Sequence, residues 1–152
     1  MNIMKILLIE DQLYKSDPII EYVKMNHRDV EINLARSYSD GIQEIMTNKY
    51  DMILLDMTLP IFEKKDGEDG GTMFDDGGRR IIRRMKSKKL FIPCFVITQY
   101  DKIMDVTIES MNDELFELAP EIYQGYIFYQ SNSNVWKTEL SNKIGYVKDT
   151  IN

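Results

Sequence analysis

The sequence has very few of the residues that form disulfides and transition-metal sites. Cys94 is the only cysteine and His27 the only histidine among 152 residues. A disulfide within the chain is therefore impossible. Zinc sites built from cysteine and histidine, which need about four ligands, are excluded as well. Cys94 lies in the apolar run FIPCFVIT, so we expect it to be a small buried hydrophobic residue.

Long hydrophobic runs are also missing from the sequence. The N-terminal stretch MNIMKILLIEDQ reaches charged residues after four apolar positions, which is too short for the apolar region of a signal peptide. No apolar run approaches the length needed to span a membrane. We therefore expect a cytoplasmic protein that does not bind membranes.

An excess of positive charge is lacking too. The chain has 19 Lys and Arg residues against 25 Asp and Glu residues, which gives a formal net charge of −6. This balance disfavours general nucleic-acid binding, since phosphates require positive charge facing them. The length and the hydrophobic fraction of 43% predict a single domain, over residues 1–152, with a proper core.

Five apolar runs alternate with five helical patterns along the chain. This alternation predicts a doubly wound α/β fold, in which a parallel sheet is covered by helices on both faces in three αβα layers. The first helix is predicted over 17–27, with Asp17 as N-cap and Pro18 in the first turn, although an earlier start stays open. The predicted strands are 3–9, 30–35, 52–55, 91–98 and 125–129, and the other helices follow Ser39–Asp40, cover 79–89 and 101–118, and begin near Ser133.

The segment 61–78 has no hydrophobic period. It contains five glycines and six carboxylates. Such a composition buries too little apolar area to offset the entropy of ordering. We therefore predict a long, exposed Gly-rich and acidic insertion loop there.

Acidic side chains directly follow two of the predicted strands. Glu10 and Asp11 come after the first strand, and Asp56 ends the run YDMILLD in the third. If these strands are neighbours, the carboxylates converge at one edge of the sheet, where ligands of such folds bind. Mg²⁺ would relieve their mutual repulsion, although Glu10 and Asp11 could instead simply cap the first helix. Thr98, at the end of the fourth strand, could hydrogen-bond a phosphoryl group on Asp56.

Three motifs occur in a recognisable order: ILLIEDQ, then ILLDMTLP with a proline four residues after Asp56, then VIT at the end of the fourth strand. Together they resemble the receiver domain of two-component response regulators, over about residues 3–150. The resemblance implies a flavodoxin-like sheet in the order 2-1-3-4-5. It also implies that the protein is a signalling module rather than an enzyme.

The resemblance further implies a phosphoryl transfer from a histidine kinase or phosphotransfer protein to Asp56. A downstream protein partner would then read the state of the domain, and a homodimer is left open. Thr98 would be the switch hydroxyl. The implied Mg²⁺ ligands are Glu10, Asp11, Asp56 and the backbone carbonyl of Thr58.

Three positions near the end of the fifth strand and the fourth strand bear on this resemblance. The family usually has a lysine where this chain has Tyr129, and a very small residue where it has Gln99. Tyr126 falls where family members often carry a switch aromatic. A tyrosine offers one neutral hydrogen bond, and charge-assisted bonds are roughly twice as strong. The sequence therefore leaves two hypotheses: a phosphorylated receiver, or a degenerate receiver that acts as a phosphorylation-independent protein–protein interaction module.

Overall fold

Nine strands and five helices make up the described part of the chain. The computed structural model describes residues 3–62, 73–74, 76–99, 102–103 and 106–151. The strands are β1 Met4–Ile9, β2 Val30–Ala35, β3 Met52–Leu55, β4 Leu59–Pro60, β5 Met73–Phe74, β6 Cys94–Thr98, β7 Lys102–Ile103, β8 Val106–Thr107 and β9 Tyr123–Phe128. The helices are α1 Leu13–Asn26, α2 Tyr38–Thr47, α3 Gly77–Ser87, α4 Ile108–Leu118 and α5 Val135–Ile151.

The main sheet has five strands in the order β2-β1-β3-β6-β9, all parallel. Counting only these strands, the order is 2-1-3-4-5, so the predicted flavodoxin-like fold is confirmed. Because β1 lies between β2 and β3, the chain reverses its winding direction at β1 and β3. The carboxyl ends of these two strands are therefore the place where this fold class binds ligands.

Two hydrophobic clusters cover the two faces of the sheet. Buried side chains of α1 and α5 pack on one face, among them Ile19 and Trp136. Those of α2, α3 and α4 pack on the other, among them Ile45, Ile82 and Leu115. The three layers predicted from the alternating pattern are thus present. None of the helices in the described ranges combines the length and the apolar composition that crossing a bilayer requires.

Helix α1 begins earlier than the sequence pattern predicted. It starts at Leu13 with Gln12 as N-cap, and Pro18 lies inside the helix. The prediction of Asp17 as N-cap was wrong because Asp17 and Pro18 are only typical start residues, and the first turn forms ahead of them. The backbone N–H groups of Lys15 and Ser16 both donate to the Gln12 carbonyl at 3.1 and 3.0 Å. This early start adds one turn of helix next to the end of β1.

Helix α4 begins later than predicted, at Ile108 rather than near residue 101. Short strands β7 and β8 pair antiparallel in the segment that was predicted to be helical. The hydroxyl of Thr107 caps α4 by accepting a hydrogen bond from the Ser110 N–H at 3.2 Å. Ile103 and Val106 therefore lie in paired strands and not in a helix. Periodicity cannot distinguish so short an apolar run from one turn of a helix.

The insertion predicted as a loop over 61–78 is bounded by regular structure. Strand β4 pairs antiparallel with β5, so Leu59 lies opposite Phe74. Helix α3 already begins at Gly77, inside the predicted loop. Residues 63–72 and residue 75 lie outside the described part of the chain, so the prediction made for them stays a prediction.

Gly78 lies where α3 approaches the end of β3 very closely. A Cβ atom at this position would lie 2.6 Å from Leu55 Cδ1 and 2.7 Å from the backbone oxygen of Asp56. The Gly78 N–H also donates to the Met57 carbonyl at 2.9 Å. A glycine here lets the helix press directly on the backbone that carries Asp56.

We expect Gly78→Ala to lower the free energy of unfolding by about 1–3 kcal/mol, because overpacking against backbone atoms cannot be relieved by a side-chain rotation. Gly145 is the matched control, since a Cβ at that helical position would meet nothing within 4 Å. Gly145→Ala should raise stability by about 0.5–1 kcal/mol through helix propensity. Urea titrations of the two variants measure both effects, and equal stabilities would contradict the argument.

Candidate functional site

Glu10 and Asp56 lie side by side at the carboxyl edge of the sheet. Strands β1 and β3 are in register, with Ile9 opposite Leu55. The Asp56 N–H donates to the Ile9 carbonyl at 3.1 Å, which holds the two strand ends together. Both acids are buried: Glu10 is 0% exposed and Asp56 is 5% exposed. Two carboxylates so deeply buried require a positive partner.

Lys15 provides that partner from the first turn of α1. Its side chain is only 1% exposed. The ammonium nitrogen lies 2.6 Å from Glu10 Oε1 and 3.5 Å from Asp56 Oδ2. It also donates to the backbone carbonyl of Ile97, at the end of β6, at 2.7 Å. Lys15 thus joins the ends of the three central strands into one charged cluster.

The pKa values reflect this cluster. Burial raises the pKa of Asp56 to about 7; the positive Lys15 opposes the rise and the negative Glu10 adds to it. For Lys15, burial disfavours the ammonium, but Asp56 and Glu10 outweigh burial and raise its pKa. Lys15 is therefore charged at neutral pH, whereas Asp56 titrates near neutrality in the absence of any other cation.

Backbone donors hold the two carboxylates in place. Asp56 Oδ1 accepts a hydrogen bond from the Met57 N–H at 2.8 Å. Glu10 Oε2 accepts one from the Gln12 N–H at 3.0 Å, directly ahead of α1. Each carboxylate therefore has one oxygen on a backbone N–H group and the other directed to Lys15. This arrangement fixes the orientation of the carboxylates before any ligand arrives.

The structure places the other predicted residues around this pair. Asp11 is half-buried, and its carboxylate accepts a hydrogen bond from the Gln12 side chain at 3.3 Å. Thr58 is half-buried two residues after Asp56, and Thr98 is fully buried at the end of β6. All of them lie at the same edge of the sheet, while their roles stay predictions.

The aromatic residues Tyr126, within β9, and Tyr129, directly after it, lie on opposite faces of the sheet, as expected from strand alternation. Tyr126 packs with the cluster under α4, as a half-buried residue. Tyr129 is buried on the opposite face and packs against Trp136, with ring centroids 5.1 Å apart. Gln99, just beyond β6, donates a hydrogen bond from its side chain to the Tyr14 hydroxyl at 2.5 Å. This last contact links the loop after β6 to the first turn of α1.

The predicted magnesium ligands fit that ion in kind, because carboxylate and carbonyl oxygens are the donors that Mg²⁺ prefers. Within the described ranges, however, no three His, Cys, Asp or Glu side chains are grouped to hold a metal. Glu10 and Asp56 instead each direct one oxygen to Lys15. A metal at this edge would have to compete with the ammonium for these two carboxylates.

Lys15 is the residue that sequence reasoning missed. A helix predicted to begin at Asp17 leaves Lys15 in the preceding loop. The missed signal is the four-residue spacing of Lys15, Ile19 and Val23, all of which are buried. Residues spaced by four lie on one face of a helix, so an earlier helix start would have placed Lys15 on the face that meets the sheet.

Comparison with known proteins agrees with this fold. No family model matches the chain. The Detocs response regulatory protein DtcB of Enterobacter cloacae (strain JD6301) is 29% identical over 147 residues, covering 93% of this chain and 98% of that protein.

Solved receiver domains have the same fold. A CheY-like response regulator receiver domain protein from Methanospirillum hungatei superposes with a TM-score of 0.66 at 15% identity, covering 98% of this chain and 99% of that one. A response regulator protein from Thermotoga maritima, in complex with Mg²⁺-BeF, superposes with a TM-score of 0.63 at 17% identity, covering 95% and 98%. The shared fold shows that this chain is built like the receiver domains of response regulators, and its sequence is similar to that of DtcB.

Proposed function

We propose that this receiver domain accepts a phosphoryl group on Asp56 and signals through contacts with other proteins. The observation that carries the proposal is the convergence of Glu10, Lys15 and Asp56 at the carboxyl edge of β1, β3 and β6. The name of its DtcB relative, a response regulatory protein, supports the same kind of role. The partners would be a histidine kinase or phosphotransfer protein upstream and a protein target downstream, in the cytoplasm.

The transfer itself needs little from the protein beyond orientation and charge. An oxygen of the Asp56 carboxylate forms a bond to the phosphorus, and the bond from phosphorus to the donor nitrogen or oxygen breaks. The electron pair leaves with the donor, which is acetate in the case of acetyl phosphate. The Met57 N–H fixes the carboxylate at 2.8 Å, while the Thr98 hydroxyl would bind a phosphoryl oxygen.

Mg²⁺ is part of the proposal, and the solved Thermotoga maritima relative in complex with Mg²⁺-BeF supports it. When bound, the ion would offset negative charge on the transferring oxygens. Asp11, Asp56 and the Thr58 carbonyl would hold it. Glu10 would join them only if its carboxylate gave up its contact with the Lys15 ammonium. The domain itself would act as a signalling module and not as an enzyme that releases a product.

A second candidate function has specific support. Asp56 is only 5% exposed, Tyr129 takes the place of the usual lysine, and Lys15 already places a positive charge beside Asp56. These features favour a degenerate receiver that binds its protein partner without phosphorylation. The two candidates differ in whether Asp56 ever forms a bond to phosphorus.

Incubation with acetyl phosphate and Mg²⁺, followed by intact-mass measurement, separates the two candidates. A receiver should gain the mass of one phosphoryl group, and Asp56→Asn should abolish that gain. Asp149→Asn is the matched control, because this carboxylate lies exposed on α5 and should leave the gain intact. A wild-type chain that gains no mass, from acetyl phosphate or from phosphoramidate, would support the degenerate receiver instead.

A further inference from the structure

The strand end that usually provides an ammonium group in this family provides none in this chain. Tyr129 stands there, and its ring is engaged with Trp136 in the core. Yet an ammonium group is present at the acceptor carboxylate, because the side chain of Lys15 reaches the pocket from the first turn of α1. The charge is thus supplied by a different element of the fold.

We propose that Lys15 is the phosphoryl-binding cation of this receiver, supplied by the first turn of α1 in place of a lysine after β9. This inference rests on the proposed phosphorylation of Asp56. It assigns the role to a residue that carries no recognisable motif in the sequence.

The contacts of Lys15 suit that role. An ammonium group has three N–H donors. One is used at 2.7 Å by the Ile97 carbonyl, Glu10 Oε1 lies at 2.6 Å, and Asp56 Oδ2 is the most distant partner at 3.5 Å. The group is therefore firmly held on two sides and more loosely on the side of the acceptor. Phosphoryl oxygens added to Asp56 would offer it shorter, charge-assisted hydrogen bonds.

Lys15 and Tyr129 occupy the same neighbourhood, which is what an exchange of roles requires. Burial raises the pKa of the Tyr129 phenol, and the positive charge of Lys15 opposes that rise. The Tyr129 N–H donates to the Thr98 carbonyl at 2.7 Å, so the residue follows directly on the strand end beside the site. A lysine at position 129 would therefore start at the same edge of the sheet, beside the end of β6 at Thr98, and could replace Lys15.

The test compares four variants with the wild type: Lys15→Met, Tyr129→Lys, the double variant, and Lys24→Met. Lys24 is the matched control, since it lies exposed in the last turn of the same helix. The rate of Asp56 phosphorylation by acetyl phosphate with Mg²⁺ is followed by intact mass. Beryllofluoride binding, followed by NMR, is the second measurement.

Lys15→Met should slow phosphorylation by about 100-fold, the size of effect seen when one preorganised donor to a reacting oxygen is removed. Lys24→Met should match the wild type. The double variant should recover at least about tenfold over Lys15→Met, because it restores an ammonium from the strand end. In the wild-type chain, the Lys15 side-chain nitrogen resonance should shift when beryllofluoride binds.

Several results would overturn the inference. A folded Lys15→Met that is phosphorylated at the wild-type rate or faster would show that Lys15 is only a structural counter-ion. If Lys15→Met does not fold, the wild-type chain provides the test. A Lys15 nitrogen resonance that does not change when beryllofluoride binds would also show that Lys15 is only a structural counter-ion. Failure of the proposed function is distinguishable, because the wild type itself would then gain no phosphoryl group, and the assignment of Lys15 would fall with it.

Discussion

Lys15→Met is expected to lower the free energy of unfolding by about 3–5 kcal/mol at pH 8, in buffer containing EDTA. The physical reason is that Glu10 and Asp56 are 0% and 5% exposed and would lose the ammonium that compensates both charges. Removing one partner of a buried ion pair leaves the other charge desolvated, which costs far more than the net strength of the pair.

The same substitution should have a much smaller effect at low pH. Protonation of Asp56 below its folded-state pKa of about 7 removes one of the negative charges that Lys15 compensates. Urea titrations at several pH values, with Trp136 as the single tryptophan, provide the measurement. Lys24→Met, from the exposed end of the same helix, should change stability by less than about 0.5 kcal/mol at any pH. A Lys15→Met penalty that did not depend on pH would point to lost packing rather than lost charge.

Asp56→Asn is expected to stabilise the protein, by about 2–4 kcal/mol at pH 8 without divalent cations. The pKa of Asp56 is raised from its ordinary 3.8 to about 7 in the folded chain, chiefly by burial. Between these two pH values the folded state keeps a proton that the unfolded state has lost. Stability of the wild type should therefore fall as the pH rises from about 4 to about 7, by up to about 4 kcal/mol from this group.

Asparagine cannot titrate, so the difference in stability between Asp56→Asn and the wild type should grow over this pH range and be small at pH 4. Taking the difference cancels other titrating groups, such as His27, whose pKa is lowered by burial and by Lys148. The exposed Asp149→Asn variant should show no such trend. Equal pH profiles for Asp56→Asn and the wild type would show that Asp56 is not held at a raised pKa.

The fold could be predicted from the sequence because the spacing of apolar residues within each segment indicates which of its side chains are buried. Apolar runs such as those of β1 and β3 are buried on both faces, and the stripe Trp136, Leu140 and Ile144 marks the inner face of α5. Because strands alternate with helices along the chain, only a few sheet topologies are possible. The predicted boundaries were wrong where local signals compete: at Asp17–Pro18, at the hairpin ahead of α4, and at the start of α3.

The site could be predicted only in part. The acids after β1 and β3 are recognisable because a charged residue that ends a buried strand needs an explanation, and the sheet order then brings Glu10 and Asp56 together. Sequence reasoning offered Mg²⁺ to relieve their repulsion. In the structure Lys15 already does so, and no pattern local to residue 15 indicates which carboxylates its flexible side chain will reach.

The sequence by itself determined the layered α/β architecture, the order of its elements and the edge of the sheet at which its acids collect. These properties depend on the spacing of apolar residues and on the direction of the chain, and both can be read from residues that are close together in the sequence. Only the tertiary structure decided which cation neutralises Asp56. That outcome depends on how the first turn of α1 packs against the ends of β1, β3 and β6. There the long side chain of Lys15 contacts residues at all three strand ends. Because Glu10 and Asp56 are buried, they require its positive charge.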